Sequence, residues 1–402
     1  MNLLKEGIEN RVVIKTSLTR KLTIDGITSP YPVYKIRLDQ LFYNDQNDRI
    51  ATWISEYRAQ HDGKMPDMTD REAYNNIIEQ FIVESNPDAI KKTQNNIELV
   101  EQREPGVVLA DGRIIDGNRR FTCLRKLAAK NDRFSYFEAV VLDRDIESSA
   151  KEIKMLELAI QHGEESKVDY NPVDRLVGIY NDVIDTKLLS EEEYARVTNE
   201  SLSDVKKRVE VAKLMIEFLE FINAPKQFFI ARDMQIYYPL EELSKIMKKC
   251  RTEDEAEDIK ISVFSNILMQ TSTDLVRYIR HFKSIVGSDY QDAFLEEQRE
   301  LAEKVVEILP PVGKVDTAAV RDIIRTNEEL VGELDRSVEK ALTKVKKNET
   351  RNRPIQQVEK ATAFLEDIDT HIIDKMNDSE LRRLERQIGK LEEIIAELRE
   401  KL

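Results

Sequence analysis

Two arginines follow directly after a glycine-containing turn, at the point where the sequence pattern changes from strand to helix. The turn dipeptide Asp111-Gly112 leads into a short β-branched run at residues 113–115, which is broken at Gly117. Beyond this point apolar residues recur at helical spacing. The free amide groups of a helix start favour an anion, and Arg119 and Arg120 add guanidinium groups that can hold phosphate oxygens. The pattern indicates a phosphate site. The alternative, two surface arginines at an ordinary strand–helix corner, stays open.

The length and composition are typical of a helix-rich globular protein. The chain has 402 residues, of which 41% are hydrophobic and 34% charged, with a formal net charge of −14. No apolar run is long enough to span a bilayer, the first residues lack the apolar core of a signal peptide, and two distant cysteines predict neither a disulfide framework nor a metal site. We therefore expect a cytoplasmic protein with no membrane partner. Because phosphate repels an acidic chain, any DNA contact needs a local basic patch.

The arginine-containing turn is similar to a known box. A hydrophobic strand followed by Gly117-Asn118-Arg119-Arg120 resembles the phosphate-binding box of the ParB/sulfiredoxin superfamily, which usually reads Gly-Glu-Arg-Arg in ParB-type partition proteins. Upstream, Asn44, Gln46 and Arg49 follow a predicted strand, as Asn, Gln and Arg do in the first box of that fold. Without the second box, a polar loop in which Arg49 caps a neighbouring group would explain the same residues.

The resemblance implies an α+β ParB/sulfiredoxin-like domain over residues 1–150, with an insertion at about residues 53–85. It also implies a bound nucleotide, for which CTP with Mg²⁺ is the candidate. Asn118 stands where the family usually has Glu, and an amide neither acts as a base nor carries the charge that holds a metal near phosphate. We expect at most a weak nucleotide triphosphatase (CTPase) activity, unless Glu164 or Glu165 substitutes.

A third element follows the predicted strand around Val140. In ParB-type proteins a helix carrying Glu-Asn-x-x-Arg precedes an Asn-Pro pair, and residues 154–172 resemble this arrangement because they end in Asn171-Pro172. The Glu-Asn-x-x-Arg pattern itself is not reproduced. The resemblance implies a metal or phosphate contact in this region, and three residues are candidates for it: Gln161, Glu164 and Glu165. An ordinary surface at a helix end is the alternative.

Two capping patterns mark a pair of helices joined by a tight polar turn. Ser190 with Glu193 opens the first helix, and Ser201 with Asp204 opens the second. This arrangement fits a helix-turn-helix, and the outer face of the second helix is locally basic in an acidic chain. A helical hairpin with a solvated face would also satisfy the pattern; the order of the boxes favours DNA contact. The residues that we expect to reach DNA are Ser203, Lys206, Lys207 and Arg208.

The last part of the sequence carries an apolar repeat. A Pro-Pro-Val-Gly breaker at residues 310–313 indicates a domain boundary, and residues 344–353 are typical of a basic polar linker. We expect a helix-turn-helix domain at residues 151–222, a helical domain at 223–309 and a helical C-terminal region at 314–402, with a coiled coil over 378–402. The seam of this coiled coil alternates spacings of three and four: Leu381, Leu384, Ile388, Leu391, Ile395, Leu398 and Leu402.

The combined interpretation is a mostly helical, ParB-like DNA-binding protein of the partition or transcription-regulator type. The resemblance implies that it recognises double-stranded DNA and that a nucleotide such as CTP gates it, and it makes an ATPase a candidate partner. The C-terminal seam predicts a homodimer. Two alternatives remain: an enzyme on the same fold, either a nucleotide-dependent phosphotransferase or a nuclease, and a scaffold that does not bind DNA.

Overall fold

The computed structural model describes residues 2–24, 26–144, 149–163, 171–313 and 315–402. These residues form two compact units, Met1–Lys340 and Ala341–Leu402. The first unit opens with a mixed sheet and continues as helices, and the second unit is helical. The predicted fold class, an α+β part followed by a helical region, is confirmed. The finer predicted domain boundaries stay predictions.

One five-stranded sheet forms the centre of the N-terminal part. In chain order its strands are β1 (Val13–Ile24), β2 (Ile27–Arg37), β3 (Gly106–Leu109), β4 (Ile114–Asp116) and β5 (Tyr136–Leu142). Their order in the sheet is β1-β2-β5-β3-β4. β1 and β2 form an antiparallel hairpin, β2 pairs antiparallel with β5, and β3 runs parallel to β5 and antiparallel to β4. The parallel pair needs a crossover connection, which the helix after β4 supplies.

Eighteen α-helices are described. They are α1 (Glu6–Glu9), α2 (Ala51–Gln60), α3 (Arg71–Ser85), α4 (Pro87–Val100), α5 (Asn118–Ala128), α6 (Ala150–Gly163), α7 (Pro172–Ile179), α8 (Glu191–Thr198), α9 (Leu202–Phe221), α10 (Phe228–Asp233), α11 (Tyr237–Met247), α12 (Glu253–Leu268), α13 (Leu275–Ile285), α14 (Gln291–Glu307), α15 (Thr317–Thr326), α16 (Glu328–Glu366), α17 (Thr370–Ile373) and α18 (Asp378–Arg399). A π-helical turn, Tyr180–Asp185, continues α7. None of the described helices combines the length and apolar character needed to cross a membrane.

Both faces of the sheet are covered, so its central strands are apolar on both sides. On one face, a core that includes Phe121 of α5, Ile78 of α3 and Ile97 of α4 packs with Phe137. On the other face, α6 contributes a second core of which Leu156 is a member. The sheet therefore holds the starts of α5 and α6 in fixed positions.

Two elements differ from the sequence expectations. β3 was not predicted, because its four residues are too short a run to show a period, yet pairing with β4 and β5 makes it a buried strand. The predicted linker at residues 344–353 lies inside the continuous helix α16, which also contains Pro354. Lys, Arg and Glu have high helix propensity, and an isolated proline removes one backbone hydrogen bond without ending the helix.

The helix α2 lies against α10 within the first unit. The Ser55 hydroxyl donates to the Lys226 carbonyl oxygen (2.9 Å) and accepts from the Phe228 amide (2.9 Å). The Arg232 guanidinium carbon lies 4.0 Å from the centroid of the Trp53 ring. Trp53 is the only tryptophan of the chain. These contacts join the segment that follows the first box to the helical part of the unit.

The second unit carries an exposed apolar stripe. Between residues 346 and 402, all of which are described, no residue is buried. α18 begins with a capping box formed by Asn377 and Glu380. Along this helix Ile388 is 47% and Leu398 is 51% exposed. The stripe thus lies exposed on a helix whose start is capped.

Close packing of α7 against the first box leads to a stability prediction. A Cβ on Gly178 would lie 2.7 Å from the Asp48 carboxylate, which is itself fixed by a 2.8 Å bond from Lys154 Nζ. We expect Gly178→Ala to lower the free energy of unfolding by about 1–3 kcal/mol, because the buried carboxylate cannot move aside. Chemical denaturation measures the change.

Gly389 supplies the matched control for this substitution. It also lies inside a helix, α18, but a Cβ there meets no atom within 4 Å. Gly389→Ala should leave stability equal or raise it by up to about 1 kcal/mol through helix propensity. Equal stability of the two variants would contradict the packing described for Gly178.

Candidate functional site

The start of α5 is an exposed row of backbone donors at the end of β4. Gly117 is the N-terminal capping residue, has φ = +104°, and offers no side chain to the free amide groups of the first turn. A Cβ at this position would lie 2.8 Å from the Phe137 ring, so both the backbone angle and the packing require glycine. The helix start therefore keeps the positive end of its dipole available to an anion.

Arg120, one of the two arginines predicted to hold phosphate, is bonded to other groups of the protein. Arg120 donates to Asp116 Oδ2 (2.9 Å) and to the Glu104 carbonyl oxygen (3.0 Å). Arg20 of β1 donates to the same Asp116 oxygen (2.8 Å) and to the Pro105 carbonyl oxygen (2.6 Å). Arg120 thus fixes the strand–helix corner.

The first box is held against α5 by buried polar bonds. Asn75 accepts from the Tyr43 amide (3.2 Å) and donates to the Leu41 carbonyl oxygen (2.9 Å). The Tyr43 hydroxyl bonds the Thr122 hydroxyl of α5 (2.8 Å). Asn47 then accepts from the Arg49 amide (3.0 Å). These bonds explain how two boxes that are far apart in sequence come to face each other.

The two boxes border one cavity of about 260 Å³. The predicted residues that line it are Arg49, Gly117, Asn118, Arg119, Arg120 and Gln161. Gln46 does not line this cavity. It is exposed and borders a separate, wider groove of about 740 Å³. Glu164 and Glu165 lie outside the described residues. The structure thus brings together elements of all three predicted boxes.

Asn118 places an unpartnered oxygen at this cavity. The residue is 8% exposed, and its Oδ1 atom has no hydrogen-bond partner. A buried acceptor without a partner costs free energy, and a ligand that offers a donor would relieve the cost. This observation is independent of the helix start beside it.

The opposite wall of the cavity was not identified from the sequence. It comes from α4 through Thr93, Asn96 and Ile97, and from the loop at residues 101–104. The sequence signalled only the start of this helix, where Asn86 accepts from the Ala89 amide (3.0 Å). No motif marks the wall residues, because their role depends on the packing of α4 against α5.

The described residues contain neither a metal-binding group nor a reactive thiol beside the cavity. Among the described residues, no group of three or more His, Cys, Asp and Glu side chains is arranged to hold a metal ion. Asp116, the carboxylate nearest to the helix start, is taken by two arginines. The described residues therefore offer no group of carboxylate, imidazole or thiol ligands for Mg²⁺, and the contact predicted for Gln161 stays a prediction. Burial raises the pKa of Cys123, so this thiol on α5 stays protonated and unreactive.

The helices α8 and α9 form the predicted pair with a three-residue turn between them. Both capping patterns are present: Ser190 with Glu193 as a full capping box, and Ser201 accepting from the Asp204 amide (3.1 Å). α9 extends to Phe221, and its later turns are buried at Leu214, Met215, Phe218 and Leu219. The polar start of α9 remains at the surface.

Three of the four residues predicted to contact DNA lie on that surface, and one does not. Ser203, Lys206 and Lys207 are exposed. Arg208 is turned inward: its side chain is 10% exposed and donates to Glu200 Oε2 at 2.6 Å. Arg175 of α7 donates to the other oxygen of the same carboxylate. Arg208 therefore joins the turn to α7 through Glu200, and the contact with DNA predicted for it stays a prediction.

Among the comparisons with known proteins, similarity is found to solved structures. No family model matches the chain, and no curated protein matches it. Among solved structures, the C2221 crystal form of a Pnob8-like ParB-N domain is similar, at 13% identity and a TM-score of 0.35, covering 69% of this chain and 98% of that one. The similarity carries no information on ligand or site residues, which rest on the geometry described above.

Proposed function

We propose that the chain is a ParB-like DNA-binding protein whose N-terminal cavity binds a nucleotide triphosphate, with CTP as the first candidate. One observation carries the proposal: a helix start without a side-chain cap, Arg49, Arg119 and a buried unpartnered Asn118 oxygen converge on one cavity. Guanidinium groups and free amides suit phosphate oxygens. Because the described residues contain no group of three or more His, Cys, Asp and Glu side chains placed to hold a metal, Mg²⁺ would be held chiefly by the phosphates of the ligand.

The start of α9 is the proposed DNA-contacting surface. Lys206 and Lys207 are exposed there, and the surface pair between Lys207 and Asp204 (2.9 Å) is weak enough to exchange for phosphate. The N-terminal turns of a second helix are the part that enters a major groove in helix-turn-helix proteins. Ser203 lies on the same exposed turn and can reach a base edge or a phosphate.

Self-association through α18 completes the proposal. A single basic helix start on a chain of net charge −14 binds DNA weakly. The exposed stripe of α18 has the heptad spacing of a coiled-coil seam, and a second copy of the chain offers the same stripe to cover it. A homodimer would present two helix starts to a repeated or inverted DNA site. A partner ATPase remains a proposal by resemblance.

The DNA surface is tested by replacing Lys206 and Lys207 with alanine. We expect a lower affinity for duplex DNA and a weaker dependence of affinity on salt. The slope of log affinity against log salt concentration should become less steep by about 0.9 for each phosphate that is no longer neutralised. A site selected from random duplexes with the intact protein supplies the probe. Fluorescence anisotropy at several salt concentrations measures both quantities.

A second pair of lysines controls for the change in net charge. Lys15 and Lys21 are exposed on β1, and replacing both removes the same charge from a different element. This variant should keep most of the affinity and the salt slope. If the two variants behave alike, or if the selection enriches no sequence, the proposed interface is wrong.

A further inference from the structure

The buried ammonium group of Lys154 is surrounded by three carboxylates. Lys154 Nζ lies 2.8 Å from Asp48 Oδ1, 3.6 Å from Asp182 Oδ2 and 3.8 Å from Glu157 Oε2. All four side chains are buried, with none more than 9% exposed. If every carboxyl group were ionised, one positive and three negative charges would share an interior poor in water. Such an excess of buried charge is costly unless a proton is bound.

The three carboxylates differ in the hydrogen bonds that they accept from neighbouring groups. Asp48 accepts the short bond from Lys154, and Glu157 accepts from Gln161 Nε2 at 3.1 Å. Asp182 Oδ2 has no hydrogen-bond partner, and its distance of 3.6 Å from Lys154 exceeds a hydrogen bond. Asp182 is therefore the group on which a proton relieves the most repulsion.

The groups around Asp182 come from several elements. Asp48 belongs to the turn of the first box, Lys154 and Glu157 to α6, and Tyr194 to α8. Tyr194 is neutral because burial raises the pKa of its hydroxyl. The arrangement joins the first box, α6, the π-helical turn and α8 at one point.

The direction of each pKa agrees with this geometry. Burial raises the pKa of Asp182 to about 8, and Asp48 adds to the rise. Burial also raises the pKa of Glu157 to about 7. For Lys154, burial acts to lower the pKa, but the three carboxylates together raise it, so the ammonium stays charged. Asp174 of α7, bonded to Thr52, has a pKa raised by burial to about 7.

We propose that Asp182 is a proton switch: it is protonated at neutral pH, and its ionisation in mildly alkaline solution loosens the packing between the first box, α6 and α8. The switch is built into the fold and does not depend on the ligand or DNA of the proposed function. Rising pH would weaken the support of the segment that carries Arg49, which directly follows Asp48.

The sign of the effect follows from linkage. An Asp side chain in the unfolded chain has a pKa of about 3.9, and the folded value is about 8. Between these values the folded state holds a proton that the unfolded state does not. The folding equilibrium constant therefore falls about tenfold for each pH unit until the pH passes the folded pKa, and it is level with respect to this group above that pH.

Asp182→Asn tests the switch, because an amide mimics the neutral acid in size and charge. We expect the folding equilibrium constant of the wild type, measured by chemical denaturation, to fall between pH 6.5 and 8. For each pH unit in this range, the factor by which the constant falls should be about tenfold smaller for D182N than for the wild type. Asp185→Asn is the matched control: it lies on the same turn but is exposed and paired with Lys226 at 3.3 Å. D185N should follow the wild type. A D182N profile parallel to the wild type would overturn the proposal.

If D182N fails to fold, hydrogen exchange of the wild-type protein tests the proposed switch. After correction for the intrinsic pH dependence of exchange, protection of α6 and of residues 180–185 should fall between pH 6.5 and 8.5. Protection of α12 and α14, which are remote in the chain from this cluster, should stay constant in the same sample. Constant protection of α6 and residues 180–185 over this pH range would overturn the proposal.

Discussion

Replacing Arg119 by alanine is expected to weaken the binding of a nucleotide triphosphate by roughly 10- to 100-fold, because a charge-assisted bond to phosphate contributes about 1.5–3 kcal/mol. Arg119 lies in the first turn of α5 and lines the cavity together with Arg49. A panel of nucleotides with Mg²⁺, and inorganic triphosphate alone, supplies the probes. The thermal shift that the best of these gives the wild type should disappear in the variant at the same concentration.

Two further variants separate ligand binding from stability. Lys126→Ala removes one positive charge from the last turn of the same helix and should keep the ligand-induced shift. Arg120→Ala should lower the melting temperature without ligand, because Asp116 then keeps only its bond from Arg20. An Arg119→Ala protein with an unchanged shift would show that the nucleotide, if it binds, lies elsewhere.

Replacing Ile388 and Leu391 by glutamine is expected to convert the proposed dimer into a monomer and to lower DNA affinity by roughly 10²- to 10⁴-fold. Both residues lie in the middle of the apolar stripe of α18, where two polar side chains would interrupt a paired seam. The loss of affinity follows because the second helix start is no longer held near the first. Sedimentation velocity and a DNA titration measure the two effects.

The control for the seam uses the opposite face of the same helix. Arg386→Gln with Glu393→Gln changes two exposed residues, keeps the net charge, and introduces the same side chain, which has good helix propensity. This variant should remain a dimer with unchanged DNA affinity. The proposed seam is wrong if the Ile388 and Leu391 variant sediments like the wild type.

Local patterns predicted the parts of the site that depend on neighbouring residues. The strand, the turn at Gly117 and the start of α5 were predicted because backbone angle, capping and helix spacing are short-range properties. The capping box at Ser190 was predicted for the same reason. In these places the residues that determine the structure are adjacent in the sequence.

Long-range contacts set the rest of the site. Arg208 has the sequence environment of an exposed cation, but its ion pair with Glu200, which Arg175 also binds, holds it in the interior. Arg120 is drawn to Asp116 because Glu104 and Arg20 complete the corner from other elements. The helical repeat determines the face of the helix to which a side chain is attached. The position of its charged end depends on the neighbours that pack against it.

Because of the contact between Trp53 and Arg232, the intrinsic fluorescence of the protein reports on the packing of α2 against α10. Since the chain has one tryptophan, its emission comes from one place, the packing of α2 against α10. The ring is partly buried and has a guanidinium group 4.0 Å from its centroid, so its spectrum is sensitive to separation of the two helices and to entry of water. α2 follows directly after Arg49 in the chain, with only Ile50 between them. Movement of the first box, whether caused by ligand or by pH, can therefore be followed without any added label.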